Sequence, residues 1–302
     1  MKISAVIPVG LENNLDILNS LKGNQKEINL IIERGTNPSA NRNNGIKKAK
    51  TEFVAFLNAH TLLTDDWAKE VKKFFKEYPE IDIVGGPQLT SKKDPIFEKA
   101  SGYALSSIFG AAEVRVRYKI KDLNLHANEK HLTSANLICR KKVFNKVLFD
   151  ENLWPGEDPK FIDDAIKSGF RVAYSPTIKV YQKRRKNVAE LSKQIFNYGL
   201  VRTKKEKFVE TLKKPLFLVP SIFLAYLAFL PTLLIFSLAF LFPLLIYLFL
   251  NICFSLFESI KNKDLSALFL MPFLFFIVHL SYGLGFISGL IRKYLLNDKK
   301  GF

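Results

Sequence analysis

The chain has 302 residues, a net charge of +17 and a 48% hydrophobic fraction that is unevenly spread. Its two cysteines exclude a disulfide framework and fit a reducing compartment. The basic excess collects in "QKRRKN" and "RTKKEKFVETLKK", ahead of an apolar segment and with no zinc-finger spacing or RNA-binding aromatic motif, which points to anionic lipid headgroups rather than nucleic acid.

The opening "MKISAVIPVGLENN" has an apolar run too short for a signal peptide, so the polar part is expected in the cytoplasm. "ISAVIPV" and "INLIIERG" read as buried parallel-type strands, each ending at a turn residue. "NRNNGIKKAK" reads as the start of a helix and "EFVAFLNA" as a third strand. In "DDWAKEVKKFFKEY" the apolar residues fall at helical spacing, with Asp65 and Asp66 expected to cap the helix. "IDIVGG" is a fourth short strand. Beyond it the pattern loosens until "GEDPKFIDDAIKSGFRVAY", where Glu157 and Asp158 open a helix that a strand follows. Strands alternating with helices predict an α/β domain over residues 1–214 with a mostly parallel sheet, whose ligand site lies at the carboxyl ends of the strands.

Residues 216–257 contain no charge, and between 265 and 291 the only Asp, Glu, Lys, Arg or His is His279. The first stretch would form a helix roughly 60 Å long, about twice a hydrocarbon core, so two spans broken near Pro231 or Pro243 are expected. The second suits one tilted span, or a re-entrant pair broken around Pro272 and the glycines at 283, 285 and 289. Residues 215–302 are therefore expected to be a multi-pass transmembrane segment with a short basic tail. "RKYLLNDKK" argues for a cytoplasmic C-terminus and an even number of crossings, whereas three simple spans would place it outside.

At the end of the third strand stands Asn58-Ala59-His60, a site candidate by position alone. Arg42, Arg115 and Arg117 are candidate phosphate contacts, each an ordinary surface arginine by default. His126 and His131 stand in a polar loop, where a histidine is more often solvated than catalytic, and they are left out of the candidate site.

Pro8, "NRNNGIKKAKTEFVAFL", the polar triplet, "GEDPKFIDDAIKSGFRVAY" and the apolar tail stand in one order that resembles family 2 inverting glycosyltransferases of the Rossmann-like GT-A fold. "NAH", "VGG", "SSIFGAAEVRVRY" and "NYGLVR" are similar to the succinoglycan glucosyltransferase-like branch, which often carries Asp-Ala-His. The resemblance implies a nucleotide-sugar donor and a lipid-linked or growing glycan acceptor. It implies that Asp158, beside Glu157, is the base that deprotonates the acceptor. It places Pro8, Glu33, Arg42, Asn58 and His60 at the nucleotide sugar, and Arg184 and Arg185 at the diphosphate or acceptor. His60 and Asn58 would ligate a divalent cation, Mn or Mg, less strongly than two carboxylates. Roughly 30 to 40 residues of the usual nucleotide half are absent between "LIIERG" and "NRNNG", the size of a helix–strand pair. The competing expectation, from the missing aspartates, is a non-catalytic membrane scaffold derived from such an enzyme.

Overall fold

The computed structural model describes residues 2–11, 15–21, 23–153, 155–205 and 208–296. They divide into two compact units, Met1–Ser91 with Val116–Lys183, and Lys92–Arg115 with Arg184–Phe302.

The first unit is a mixed α/β layer. In chain order it contains β1 (Ile3–Val9), β2 (Ile28–Arg34), α1 (Pro38–Lys48), β3 (Phe53–Leu57), β4 (Thr61–Leu63), α2 (Trp67–Glu77), β5 (Ile83–Gly85) and β6 (Gln88–Leu89). After the excursion through α3 (Ile96–Ser106) and α4 (Ile108–Ala111), the chain returns for β7 (Asn136–Arg140), α5 (Glu157–Lys167), β8 (Val172–Tyr174) and β9 (Val180–Gln182). The main sheet runs β2-β1-β3-β7-β5-β8, and β7 alone is antiparallel to its neighbours. A smaller sheet, β4-β9-β6, stands beside it.

The central strands are apolar on both faces because helices and loops cover both, as β3, "FVAFL", shows with every residue buried. β2 departs from the expected buried strand. It lies at the sheet edge, so Asn29, Ile32 and Arg34 are exposed while Glu33 is buried. Pro8 sits past the end of the β1–β3 pairing, which runs from Ile3 to Val6 on β1, so its missing N–H costs no rung there. α2 buries Trp67, Ala68, Val71, Phe74 and Phe75 on one face, the stripe its spacing predicted. Its cap differs: Asp66 holds the N-cap position without a side-chain bond, and Asn24 Oδ1 accepts from the Ala68 N–H at 2.9 Å instead.

In the second unit α6 (Val188–Lys205), α7 (Phe208–Leu212), α8 (Val219–Phe236), α9 (Phe242–Lys261) and α10 (Met271–Leu290) join α3 and α4. The long apolar stretch breaks at Ser237, between Pro231 inside α8 and Pro243 in the first turn of α9. α10 is continuous, in keeping with the single-helix alternative and not with a break at Pro272 or the glycines. Pro272 occupies its first turn, where a missing N–H is harmless, and its glycines serve packing. A Cβ on Gly285 would stand 1.9 Å from Phe196 O, and one on Gly199 would stand 2.2 Å from Tyr282 O, so α6 and α10 meet backbone to backbone. Three helices, Val219–Phe236, Leu238–Lys261 and Met271–Leu295, are long and apolar enough to cross a membrane. The "NDKK" of the basic tail lies outside the described residues.

α1 approaches β1 closely at Gly45, where a Cβ would come within 2.2 Å of Val6 Cγ1. Gly45→Val is expected to destabilise the first unit by about 1–3 kcal/mol through overpacking. A lowered thermal midpoint of the full chain in detergent checks this.

Candidate active site

α1 begins at Pro38, capped by Asn37, whose side chain accepts from the Ser39 and Ala40 N–H groups at 2.9 and 3.1 Å. The "NRNNG" run therefore lies in mid-helix rather than at the helix start. Its first three side chains are buried and each clamps a different piece of chain. Asn41 Nδ2 donates to Gly35 O at 3.2 Å, beyond the end of β2. Asn43 Nδ2 donates to Phe149 O at 2.9 Å, and Asn43 Oδ1 accepts from Phe149 N at 3.1 Å. Arg42 Nη1 bonds Glu157 Oε1 at 2.9 Å, and Nη2 lies 3.8 Å from Asp158 Oδ1. The guanidinium also sits over the Phe149 ring, 5.2 Å from its centroid. Arg42, expected at the diphosphate, is thus placed against the two carboxylates of the "GED" run.

Gly156 takes φ +114°, a left-handed value that suits glycine, and this turn delivers Glu157 and Asp158 to the first turn of α5. Acidic groups are favoured there by the helix N–H groups. Glu157 Oε2 accepts from the Gly156 N–H at 2.9 Å. Burial, and then the charge of Asp158, push the Glu157 carboxyl above the usual range, while Arg42 pulls it back. Asp158 differs: its side chain is 20% exposed against 8% for Glu157, so it is the carboxylate a ligand can reach. Its Oδ2 accepts from the Ser134 N–H at 3.2 Å, while its Oδ1 is buried without a hydrogen-bond partner.

The Asn58–His60 turn follows β3. Asn58 N donates to Thr61 Oγ1 at 3.2 Å, Thr61 N returns to Asn58 O at 3.0 Å, and Thr61 Oγ1 lies 2.8 Å from Gln182 Oε1 on β9. His60 Nδ1 lies 2.8 Å from Asp16 Oδ2, and Asp16 Oδ1 lies 3.1 Å from Lys183 Nζ. Burial alone would raise the Asp16 carboxyl, but its bonds to His60 and Lys183 hold it below the ordinary value. A carboxylate on one ring nitrogen fixes the imidazole and leaves Nε2 for a ligand. Asp16 escaped the sequence reading, since a single acid inside "NLDILNS" carries no spacing signal.

Among the described residues no group of three or more His, Cys, Asp or Glu side chains converges as a cation site. The residues at this turn that would hold a cation are His60 and Asn58. Glu33, opposite Pro8 in the strand register, is engaged by Lys48 Nζ at 2.6 Å. Arg184 and Arg185 lie in the segment joining β9 to α6. Arg115 lies in the short helical stretch Ala112–Tyr118, and Arg117 donates to the carbonyls of Glu129 and Lys130. His131 is tied to the local turn through Asn128 Oδ1, 2.8 Å from its Nδ1, and His126 N donates to Asn124 Oδ1.

Arg42→Met leaves Glu157 buried without its cation and is expected to cost about 3–5 kcal/mol, much of it recovered in the Arg42→Met/Glu157→Met double variant. Because the Glu157 pKa is raised in the fold, its contribution is fully present below its ordinary value of 4.5 and is lost as pH rises through the raised value. Glu157→Gln is expected to flatten that part of the stability–pH curve, measured by thermal unfolding in a pH series.

Residues 12–148 match the sequence model described as Glycosyl transferase family 2. That span takes in α1 with Arg42, the Asn58–His60 turn and Ser134, and it ends ahead of Glu157 and Asp158. The pre-mycofactocin glycosyltransferase of Mycobacterium tuberculosis is 26% identical over 163 residues, covering 54% of this chain and 33% of that protein. The minor teichoic acid biosynthesis protein GgaB of Bacillus subtilis is 24% identical over 194 residues, covering 60% of this chain and 20% of that one. The chain thus matches a third or less of the length of these relatives. The crystal structure of S. aureus TarS residues 1–349 in complex with UDP-GlcNAc is 16% identical, covers 67% of this chain and 66% of that one, and has a TM-score of 0.46.

Proposed function

We propose that the chain is a membrane-associated inverting glycosyltransferase that moves a sugar from a nucleotide donor to a lipid-linked or growing glycan acceptor. The observation that carries this reading is the Asp158 carboxylate. It is anchored through Oδ2, its Oδ1 is buried without a hydrogen-bond partner, and Arg42 and Glu157 stand beside it. Asp158 takes the proton from the acceptor hydroxyl as that oxygen bonds to the anomeric carbon. The bond to the diphosphate breaks on the opposite face, and the configuration inverts. Arg42 keeps the neighbouring Glu157 charge compensated, so that Asp158 acts beside a neutralised partner.

The family 2 match over residues 12–148 and the likeness to glycosyltransferases support the reaction class. The succinoglycan-like branch, suggested by "NAH" and "NYGLVR", supports a glycan acceptor. In this reading Pro8, Glu33 and Asn58 border the nucleotide, and Arg184 and Arg185 serve the diphosphate or the acceptor. His60 and Asn58 would hold a divalent cation, Mn or Mg, which would offset the charge of the leaving diphosphate. The apolar helices hold the enzyme at the membrane, with residues 1–214 on the cytoplasmic side.

Membranes containing the protein, given a panel of labelled sugar nucleotides, are expected to transfer sugar to endogenous lipid or glycan. Asp158→Asn should lower the rate by about 10²–10⁴-fold while donor binding persists. Transfer by that variant at the wild-type rate would remove Asp158 from the role, and nucleotide binding by neither protein would favour the scaffold reading. A chelator is expected to stop transfer and Mn or Mg to restore it. His60→Ala should raise the cation concentration required, read from a metal titration of the rate.

A further inference from the structure

α10 has two opposite faces, and what covers one of them bears on how the chain meets a membrane. The covered face carries Phe275, His279, Tyr282, Phe286 and Gly289, three or four residues apart and so in one helical stripe. Its first half meets α4: His279 Nε2 lies 2.7 Å from Phe109 O, and the Phe275 ring packs edge-on against Phe109. Its second half meets α6, where Gly199 approaches Tyr282 O and Phe286 N, and Thr203 approaches Gly289. On the opposite face Phe273, Leu284 and Ile291, separated by about three and two turns, are 47%, 49% and 42% exposed.

α10 also meets α8 at Gly283, where a Cβ would stand 2.6 Å from Pro220 O, and α9, whose Tyr247 Oη lies 3.0 Å from His279 Nδ1. Two of its covering segments, however, are not hydrocarbon dwellers. α6 carries Glu190, Lys193, Arg202 and Lys204, and α3, which leads into α4, carries Glu98 and Lys99. Charges of this kind are costly in the bilayer centre. Both segments also come straight from the α/β unit. Residues 92–115 leave it and return to it, and α6 follows it with no apolar span between. Both ends of α10 are fastened to them. Ahead of its first turn, Asp264 pairs with Lys99 Nζ at 2.6 Å and accepts from Tyr103 Oη at 3.2 Å; past its last turn, Lys293 Nζ donates to Thr203 O. Both ends of a helix about 30 Å long are thus tied to charge-bearing segments that a bilayer centre disfavours.

We propose that α10 lies in the plane of the membrane on the side of the α/β unit, with its Phe273–Leu284–Ile291 face against the acyl chains of that leaflet. The partner is the lipid leaflet itself. Lys213 and Lys214, ahead of α8, and Arg292, past the end of α10, suit its anionic headgroups. The stretch between Val219 and Asp264 then makes an even number of crossings, and the C-terminal tail lies on the side of the α/β unit. This rests on the membrane association proposed above and adds a geometry to it.

The test uses the full chain with Cys253→Ser, keeping the fully buried Cys139 as a folding control. Glu77→Cys and Asp298→Cys are labelled with a membrane-impermeant maleimide in sealed vesicles of both orientations. Separately, fluorophores at Phe273→Cys, Leu284→Cys and Ile291→Cys are quenched by depth-graded lipids in vesicles of phosphatidylcholine and phosphatidylglycerol. The expected result is that positions 77 and 298 label in the same orientation and the three α10 probes share one shallow depth. Labelling of 77 and 298 in opposite orientations, or depths that run from one headgroup layer to the other, would overturn the in-plane helix and leave membrane association standing. Recovery of the protein in the soluble fraction, with Cys139 still protected, would overturn both.

Discussion

The buried ion pair between Arg42 and Glu157 organises the α/β unit. Two charged groups taken out of water are stable only together, so the pair fixes α1 against the first turn of α5 although 115 positions separate them in sequence. The flanking asparagines complete the clamp, Asn41 to the end of β2 and Asn43 to the segment at Phe149. With Glu157 neutralised by Arg42, Asp158 is left beside the pair, partly exposed and with one oxygen unbonded. A polar helix segment that would otherwise read as surface is thereby the support on which the candidate base stands.

Much of the fold was legible because its physics is local. β1 and β3 are dense apolar runs, and the α2 stripe from Trp67 to Phe75 follows helical spacing. Gly156, Glu157 and Asp158 announce the start of α5. What was illegible depended on partners distant in the chain. Arg42 reads as a phosphate contact when only its neighbours are known, and nothing in "NRNNG" says that its partner is a glutamate far downstream. Asp66 reads as a cap by position, yet Asn24 makes the bond, because the segment before β2 packs against the start of α2. β2 reads as a buried strand from its isoleucines, but edge placement is decided by strand order, which one strand's composition does not encode.

The candidate site shows the same division. The Asn58–His60 turn and the Glu157–Asp158 pair were found at strand and helix ends, where the fold class directs attention. Asp16, which orients the His60 ring, was not found, since its role exists only once the turn after β3 meets the segment after β1. The glycines of α10 were legible as irregularities, with a break there as one of two alternatives. Their function is close approach, with Gly285 and, on α6, Gly199 bringing two helix backbones together. That contact joins a charged helix to an apolar one along much of its length, and it makes the membrane geometry a question of packing rather than of hydropathy.

The central claim is that the carboxylate held beside Arg42 and Glu157 faces the reacting sugar. A crystal or cryo-EM structure of the full chain with a nucleoside-diphosphate sugar bound tests it most directly. The account predicts the diphosphate beside His60 Nε2 and the Asp158 Oδ1 atom turned toward the face of the anomeric carbon opposite the leaving group. A donor bound elsewhere, or bound here with Asp158 turned away from the sugar and locked onto Arg42, would contradict it.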